Sequence, residues 1–472
     1  MRNKFATLFM FITAAALSGC YQANTRLCHF DQSAGYRFGN CQATSPAKDH
    51  SFIVVCFSGG GTRAAAFSYG VLEAMHDTKI ASGNQTLLDQ VDLISSVSGG
   101  SITAAYYALN RQKTFSDFPN KFLYRNMQGA LMLDLLNPYD WLRFLSPWFS
   151  RVELSAEYLN ANVYDNKTFA DVIAYRARPY VILNATDMST GARFEFTQDQ
   201  FDALYSDLSS YPIGRAVAAS AAFPALLGPM TLKNYPRGSD YKEPVWVTGA
   251  SQKNEAESDP RRYRDAQNYL SYSNGHQRAY IHLLDGGIAD NVGARGPLQA
   301  LTLNEGVFDI DQAIASGYAS KVAFIVVNAK SDPDTSRDRT ARVPGIIDVV
   351  MTAADVPIDN YTDDSVAQVH DYVNKIEQVK QQRVVLRSHG IKLDPSPYDQ
   401  VELYAIDVSF DQMSDQQAAS KLKQLGTNFH LSRADVDLLI KSGRDCLLES
   451  PDYQQLVASL DSNGAATQAS AP

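Results

Sequence analysis

The apolar run Val91–Val97 ends in Ser95-Ser96-Val97-Ser98-Gly99-Gly100-Ser101 and passes at once into a helical pattern beginning at Ile102. A strand that turns into a helix over so few residues needs small side chains at the bend, and Ser96, Gly99 and Gly100 provide them. The bend would lift the Ser98 hydroxyl out of the sheet and set it at a helix N-terminus, where free N–H groups favour negative charge. Two other apolar runs end in similar punctuation. Phe52–Phe57 leads into Ser58-Gly59-Gly60-Gly61-Thr62-Arg63, and Ala279–Leu284 leads into Asp285-Gly286-Gly287.

Short apolar runs alternating with helical patterns are the signature of a largely parallel sheet covered by helices. Expected core strands are Phe52–Phe57, Val91–Val97, Tyr180–Ala185, Ala279–Leu284 and Val322–Asn328, with helices over Arg63–His76 and from Ile102. The fold class is therefore α/β: a layered core of mostly parallel sheet flanked by helices, followed by a C-terminal α+β appendage. In the appendage, Val401–Phe410 alternates like a strand, and Ser432-Arg433-Ala434-Asp435 reads as a capping box for a final helix through Leu448. Segment 233–278 turns polar and Tyr-rich, as a surface insertion would, with only Pro244–Val247 strand-like. The expected division is 49–330 for the core domain, 331–459 for the appendage to it and 460–472 for a disordered tail.

A serine hydroxyl needs a neighbouring base before it attacks a carbonyl, and acyl transfer needs N–H donors for the oxygen that becomes negative. Ser98 supplies a nucleophile in this reading, Gly60 and Gly61 supply N–H donors on a loop free of Cβ atoms, and Asp285 supplies the base. An ordinary aspartate, with a pKa of about 3.9, is a weak base at neutral pH, and desolvation at a strand end would strengthen it. Each piece has a plainer reading. Ser98 could be an N-cap, Gly59–Gly61 a structural turn or a phosphate cradle, and Asp285-Gly286 a loop signal. No Lys-Ser/Thr follows the glycines at the spacing of a nucleotide-binding loop, and His282, three residues before Asp285, reads as structural.

Taken in order, these segments resemble the patatin-like phospholipase family. Asn184-Ala185-Thr186-Asp187 with Thr190-Gly191, Ala216–Pro224 with its Ala/Ser-rich run, and Leu284–Asn291 extend the resemblance across about residues 50–330. The resemblance implies a Ser98–Asp285 dyad in place of a histidine triad and an oxyanion loop at Gly59, Gly60 and Gly61. It implies that Arg63 holds that loop or attracts a phosphate head group. This chain has Ser96 and Ala64 where the family usually has glycine, and Ser58 where it often has aspartate. The implied activity is that of a lipid acyl hydrolase, a phospholipase A or lysophospholipase working through an acyl-enzyme on phospholipid or another lipid ester. A transacylase with the same dyad and a catalytically silent lipid-binding lipoprotein are the alternatives. Neither metal nor organic cofactor is called for, since there is no H-E-x-x-H pair and the cysteines lack zinc-site spacing.

Arg2 and Lys4 precede an apolar run, Phe5–Leu17, too short to span a bilayer and typical of an export signal. It ends in Leu17-Ser18-Gly19-Cys20, which resembles a bacterial lipobox, so residues 1–19 are expected to be removed and Cys20 lipidated. Tyr21 is not the aspartate associated with inner-membrane retention, which points to the outer membrane, with 20–48 as a linker. Removing Arg2 and Lys4 takes the formal charge from −9 to −11. An acidic chain without a sustained basic run is poorly suited to nucleic acid; no protein partner is legible. Export permits disulfides, and Cys28 with Cys41 form the candidate pair, closing a loop of about 15 residues worth about 3 kcal/mol in the chain-entropy picture. Cys56 reads as a buried thiol and Cys446 as unpaired. The crowd of apolar residues between Phe115 and Phe149 is either a helical layer on the core or a lid or acyl-chain wall. Trp and Phe beside Arg143 and Arg151 would suit a membrane interface.

Overall fold

The computed structural model describes residues 24–41, 51–80, 85–146, 148–224, 226–302, 313–314, 319–333 and 335–469. The expected export signal and Cys20 lie outside the described residues. The strands are β1 (Thr25–Arg26), β2 (Ser51–Phe57), β3 (Val91–Val97), β4 (Tyr180–Asp187), β5 (Arg193–Glu195), β6 (Ser206–Asp207), β7 (Met230–Lys233), β8 (Tyr280–Asp285), β9 (Lys321–Asn328) and β10 (Glu402–Ser409). The main sheet runs β10-β9-β2-β3-β4-β8-β7, with β5 paired to β4, and β1 and β6 form a separate ribbon. From β10 to β4 every pairing is parallel; β8 opposes β4 and β7 opposes β8. This is the expected α/β architecture. The expected core strands all form, and β2, β3 and β4 are buried along their whole length, which is why they read as continuous apolar runs rather than alternating ones.

The helices that matter for the site are α1 (Gly61–Asp77), α2 (Ser98–Asn110), α3 (Met127–Leu135), α4 (Pro138–Arg143), α5 (Arg151–Asn162), α6 (Ile213–Ser220), α7 (Ile346–Ser388), α8 (Arg433–Glu449) and α9 (Pro451–Ala469). Two of these follow their strands almost immediately, so α1 and α2 begin at the C-terminal ends of β2 and β3. The region after residue 330 is woven into the same body. Its strand β10 pairs residue for residue with β9, and α8 crosses α1 so closely that a Cβ on Gly70 would stand 2.0 Å from the Ile440 carbonyl and one on Gly443 2.3 Å from the Phe67 carbonyl.

Three expectations are corrected. Pro244–Val247 is not a strand: Pro244, with φ −57°, sets the backbone for the helix Val245–Ala250, and two further helices, Glu255–Ser258 and Pro260–Ser271, fill the polar segment. The chain does not end its regular structure at Leu448, because α9 continues into the segment expected to be a disordered tail. Cys28 and Cys41 are not bonded. Cys28 is exposed after β1, whereas Cys41 is turned into the core beside Tyr36, where burial pushes its thiol up to about 12. Cys56 and Cys446 are buried free thiols, as read from the sequence.

Candidate active site

Strand register brings the site together. Val97 of β3 lies opposite Asn184 of β4, and Asp285 of β8 lies opposite Ala185, one residue further along β4 from the other side. The residue after Val97 and the last residue of β8 therefore meet across β4, although 187 positions separate them in sequence. The Ser98 hydroxyl donates to Asp285 Oδ2 at 2.9 Å. Ser98 has φ +50°, a left-handed conformation that a residue other than glycine holds only when its surroundings impose it.

Those surroundings centre on the end of α6. The Ser98 N–H donates to Ser220 Oγ at 2.9 Å, and that hydroxyl donates to the Asn184 carbonyl at 2.6 Å. The backbone of the same turn holds the base: Asp285 N–H donates to the Ala222 carbonyl and Gly286 N–H to the Ser220 carbonyl. One turn thus grips both members of the pair. Behind it, Arg215 of α6 makes a buried two-point ion pair with Glu153 of α5 at 2.6 and 2.9 Å. Ser220 lies in the Ala/Ser-rich run Ala216–Pro224, and nothing about a serine in such a run announces which backbone it will meet.

Asp285 is 4% exposed and Ser98 6%. Burial raises the Asp285 carboxyl to about 6; the Gly287 N–H, donating to Oδ1 at 2.8 Å, and the Ser98 hydroxyl oppose the shift, while Asp355 adds to it. The desolvation expected from sequence therefore operates, and it makes this aspartate a stronger base than one in water.

The glycine loop turns at Gly60 and Gly61, with φ of +136° and +58°. Gly59 is not a free donor, because its N–H is held by the Asn291 carbonyl at 2.9 Å. Thr62 N–H is likewise held, by the Asn428 carbonyl at 2.8 Å. Gly60 and Gly61 lie between these anchors at the start of α1, with no hydrogen bond among the described residues taking up their N–H groups. These are the two N–H groups proposed as donors from the sequence, whereas the Gly59 N–H is taken up in holding the loop. Packing is tight on both sides. A Cβ on Gly61 would lie 2.5 Å from the Asn428 carbonyl, and one on Gly99 2.1 Å from the Gly61 carbonyl.

Of the two roles offered for Arg63, the geometry fits the first. The guanidinium is buried, donating through Nε to the Ala329 carbonyl at 2.8 Å and through Nη1 to the Leu425 carbonyl. It joins the loop to the end of β9 and to the C-terminal region instead of facing the dyad. Burial lowers its pKa to about 10, with Asp355 and Asp359 acting in the opposite sense. The C-terminal region supports the loop through the carbonyls of Leu425 and Asn428. Backbone acceptors leave no side-chain signature, so sequence offers no signal for them. His282 is exposed on the other face of β8, beside Thr231 Oγ1 at 3.0 Å. Among the described residues no group of three His, Cys, Asp or Glu side chains could hold a metal ion.

A serine at a strand-to-helix turn, a desolvated aspartate hydrogen-bonded to it and a pair of backbone N–H groups on a glycine loop thus stand at the C-terminal ends of β2, β3 and β8 of an α/β sheet. The description of the patatin-like phospholipase family matches residues 55–298, more than half of the chain, and the chain belongs to that family, whose chemistry is the hydrolysis of lipid esters. Among solved structures, human GIVD cytosolic phospholipase A2 is 12% identical, with 90% of this chain and 64% of that one covered and a TM-score of 0.43. VipD from Legionella pneumophila is 12% identical, with coverage of 93% and 71% and a TM-score of 0.30. ExoU in its heterodimeric complex with SpcU, from the type III secretion system of Pseudomonas aeruginosa, is 15% identical, with coverage of 80% and 81% and a TM-score of 0.23. No curated protein matches the chain.

Proposed function

We propose that this protein is a lipid acyl hydrolase of the phospholipase A or lysophospholipase type, working through Ser98 and Asp285. The observation that carries the reading is the 2.9 Å hydrogen bond from the Ser98 hydroxyl to a carboxylate buried beside it. Asp285 takes the hydroxyl proton as Ser98 Oγ forms a bond to the ester carbonyl carbon, and the Gly60 and Gly61 N–H groups receive the oxygen that becomes negative. Collapse breaks the ester bond. The departing alkoxide takes the proton from Asp285, leaving an acyl group on Ser98. Water then gives its proton to Asp285 as its oxygen attacks the acyl carbon, and Ser98 Oγ leaves with that proton, releasing fatty acid and restoring both residues.

Lipidation at Cys20, with the protein tethered to the outer membrane, belongs to the same proposal, supported by the Leu17-Ser18-Gly19-Cys20 sequence. The test is labelling of the full chain with a fluorophosphonate, followed by peptide mass mapping, with Ser98→Ala in parallel. An adduct on Ser98 that the alanine variant lacks, together with fatty-acid release from phospholipid, is expected. A folded protein that acquires no adduct and releases no acid sinks the reading.

A further inference from the structure

The apolar segment Phe115–Phe149 divides sharply in the folded protein. Phe118, Phe122, Leu123, Met127 and Leu131 are buried, as a helical layer on the core would be. From there on the pattern reverses. Met132, Leu133, Leu136, Trp141, Leu142 and Leu145, on α3, α4 and the turns that follow them, are each more than half exposed. A patch so dense in large apolar side chains exceeds the scattered exposure normal for a water-facing surface and marks a place where something else is met.

Its position narrows what that is. On one side it adjoins the turn that holds the dyad: the Phe149 ring lies 5.5 Å from that of Phe144 in a tilted pair, Ser150 lies beside Gly228, and Leu226, itself 45% exposed, belongs to the turn that follows Ala222, whose carbonyl holds Asp285 N–H. On the other side it adjoins the start of the described chain. Asn24 exchanges hydrogen bonds with the Lys233 backbone, Lys233 pairs with Tyr280, and the Tyr280 ring lies 5.0 Å from that of Trp148. Cys20 is four residues before Asn24, so the chain cannot carry it further than about 14 Å away. The expected Cys20 tether and the turn that holds Asp285 thus border the same apolar surface.

We propose that Met132–Leu145 is a membrane-docking surface that inserts into the lipid interface to which Cys20 ties the chain, turning the entrance of the Ser98–Asp285 site toward its substrate. The proposal rests on the lipid-hydrolase reading for the purpose of the docking, and on the Cys20 tether for its direction. Short helices bearing leucines, with Tyr139 and Trp141 at the border, suit shallow burial at the head-group level. Among the described residues no helix is long and apolar enough to cross a membrane, so contact would be with one leaflet.

The test uses the protein carrying Cys20→Ser, so that no acyl anchor masks the patch, and phosphatidylcholine vesicles, with Leu136→Glu/Trp141→Glu/Leu142→Glu added as the variant. These side chains are exposed, so the fold should persist, as checked by circular dichroism. Vesicle partitioning and vesicle-phospholipid hydrolysis should fall together by at least about tenfold, since each deletion of a buried leucine alone weakens partitioning by about that much. Fluorophosphonate labelling of Ser98 and hydrolysis of a water-soluble butyrate ester should stay unchanged. A second measurement avoids charge: with Trp148→Phe and Trp246→Phe, the remaining Trp141 should shift its fluorescence to the blue on vesicle addition. Unchanged partitioning with no Trp141 shift overturns the proposal. So does a concentration-dependent dimer that the variant loses while vesicle partitioning is unchanged, which would assign the patch to a second copy. Lost partitioning, with neither soluble-ester hydrolysis nor labelling in either protein, supports the docking surface while the hydrolase reading fails.

Discussion

Replacing Asp285 with Asn tests the base and the cost of keeping it in one protein. Its carboxyl is raised from 3.8 to about 6 by burial, a shift of roughly two pKa units at 1.36 kcal/mol each. A carboxyl whose folded-state pKa is raised binds protons more tightly folded than unfolded. Its ionised form therefore opposes folding: no penalty exists below pH about 4, the penalty grows between pH about 4 and 6, and it is complete above that, at about 3 kcal/mol. Asparagine has nearly the same shape and never ionises. Its oxygen can accept from Gly287 N–H, leaving its NH2 facing Ser98 Oγ, so the proton acceptor is gone while the packing stays. Asp285→Asn should lose activity by at least about 10³-fold. Relative to the unmodified protein, it should gain up to about 3 kcal/mol of stability between pH 4 and pH 8. Urea unfolding of both proteins at pH 4.5, 6 and 8, beside rates of fluorophosphonate labelling, measures both quantities. A stability difference that does not change with pH, or a variant that still labels at the original rate, refutes the reasoning.

The same carboxyl should set the acid limb of the unmodified enzyme's kcat/KM profile near pH 6, where Asp285 loses its proton, rather than near 4; a limb at 4 would mean that the base is solvated during turnover. Ser220→Ala removes the partner of Ser98 N–H and leaves a buried donor, at a cost of about 1–3 kcal/mol. Labelling of Ser98 should slow more than substrate KM changes; an equal effect on both would make Ser220 a packing residue only. Gly61→Ala places a Cβ at φ +58° against the Asn428 carbonyl, and displacing one oxyanion donor should lower kcat by about 10²-fold or more, read by steady-state kinetics on a soluble ester. Glu153→Gln leaves the Arg215 guanidinium buried without its charge partner and should cost about 3–5 kcal/mol in urea unfolding.

Local chemistry is legible in this chain because it depends on neighbours in sequence. The Ser96-Val97-Ser98-Gly99-Gly100 bend, the Gly60 and Gly61 turn and the apolar strands β2, β3, β4 and β9 each follow from side-chain size and hydrophobic pattern over a few residues. Ser98, Asp285 and the paired glycine donors could be named for that reason. The same local logic misread Pro244–Val247, since four residues do not distinguish a short strand from a helix that begins at a proline. It offered Cys28 with Cys41 on spacing alone, although one thiol points into the core and the other into solvent.

What sequence by itself determined is the set of groups proposed to react and the strands that end at them. Tertiary structure decided that the groups meet. The registers of β3 and β8 on β4 place Val97 and Asp285 opposite adjacent residues, and the turn after α6 clamps both from above. It also brought the carbonyls of Leu425 and Asn428 to the oxyanion loop, far downstream of the glycines they hold. Burial of Asp285, and with it the basicity the chemistry needs, comes from packing by elements dispersed along the chain. So does the division of one apolar run into a core layer and an exposed face, because hydrophobicity states what a residue avoids, while the fold decides which side of it remains uncovered.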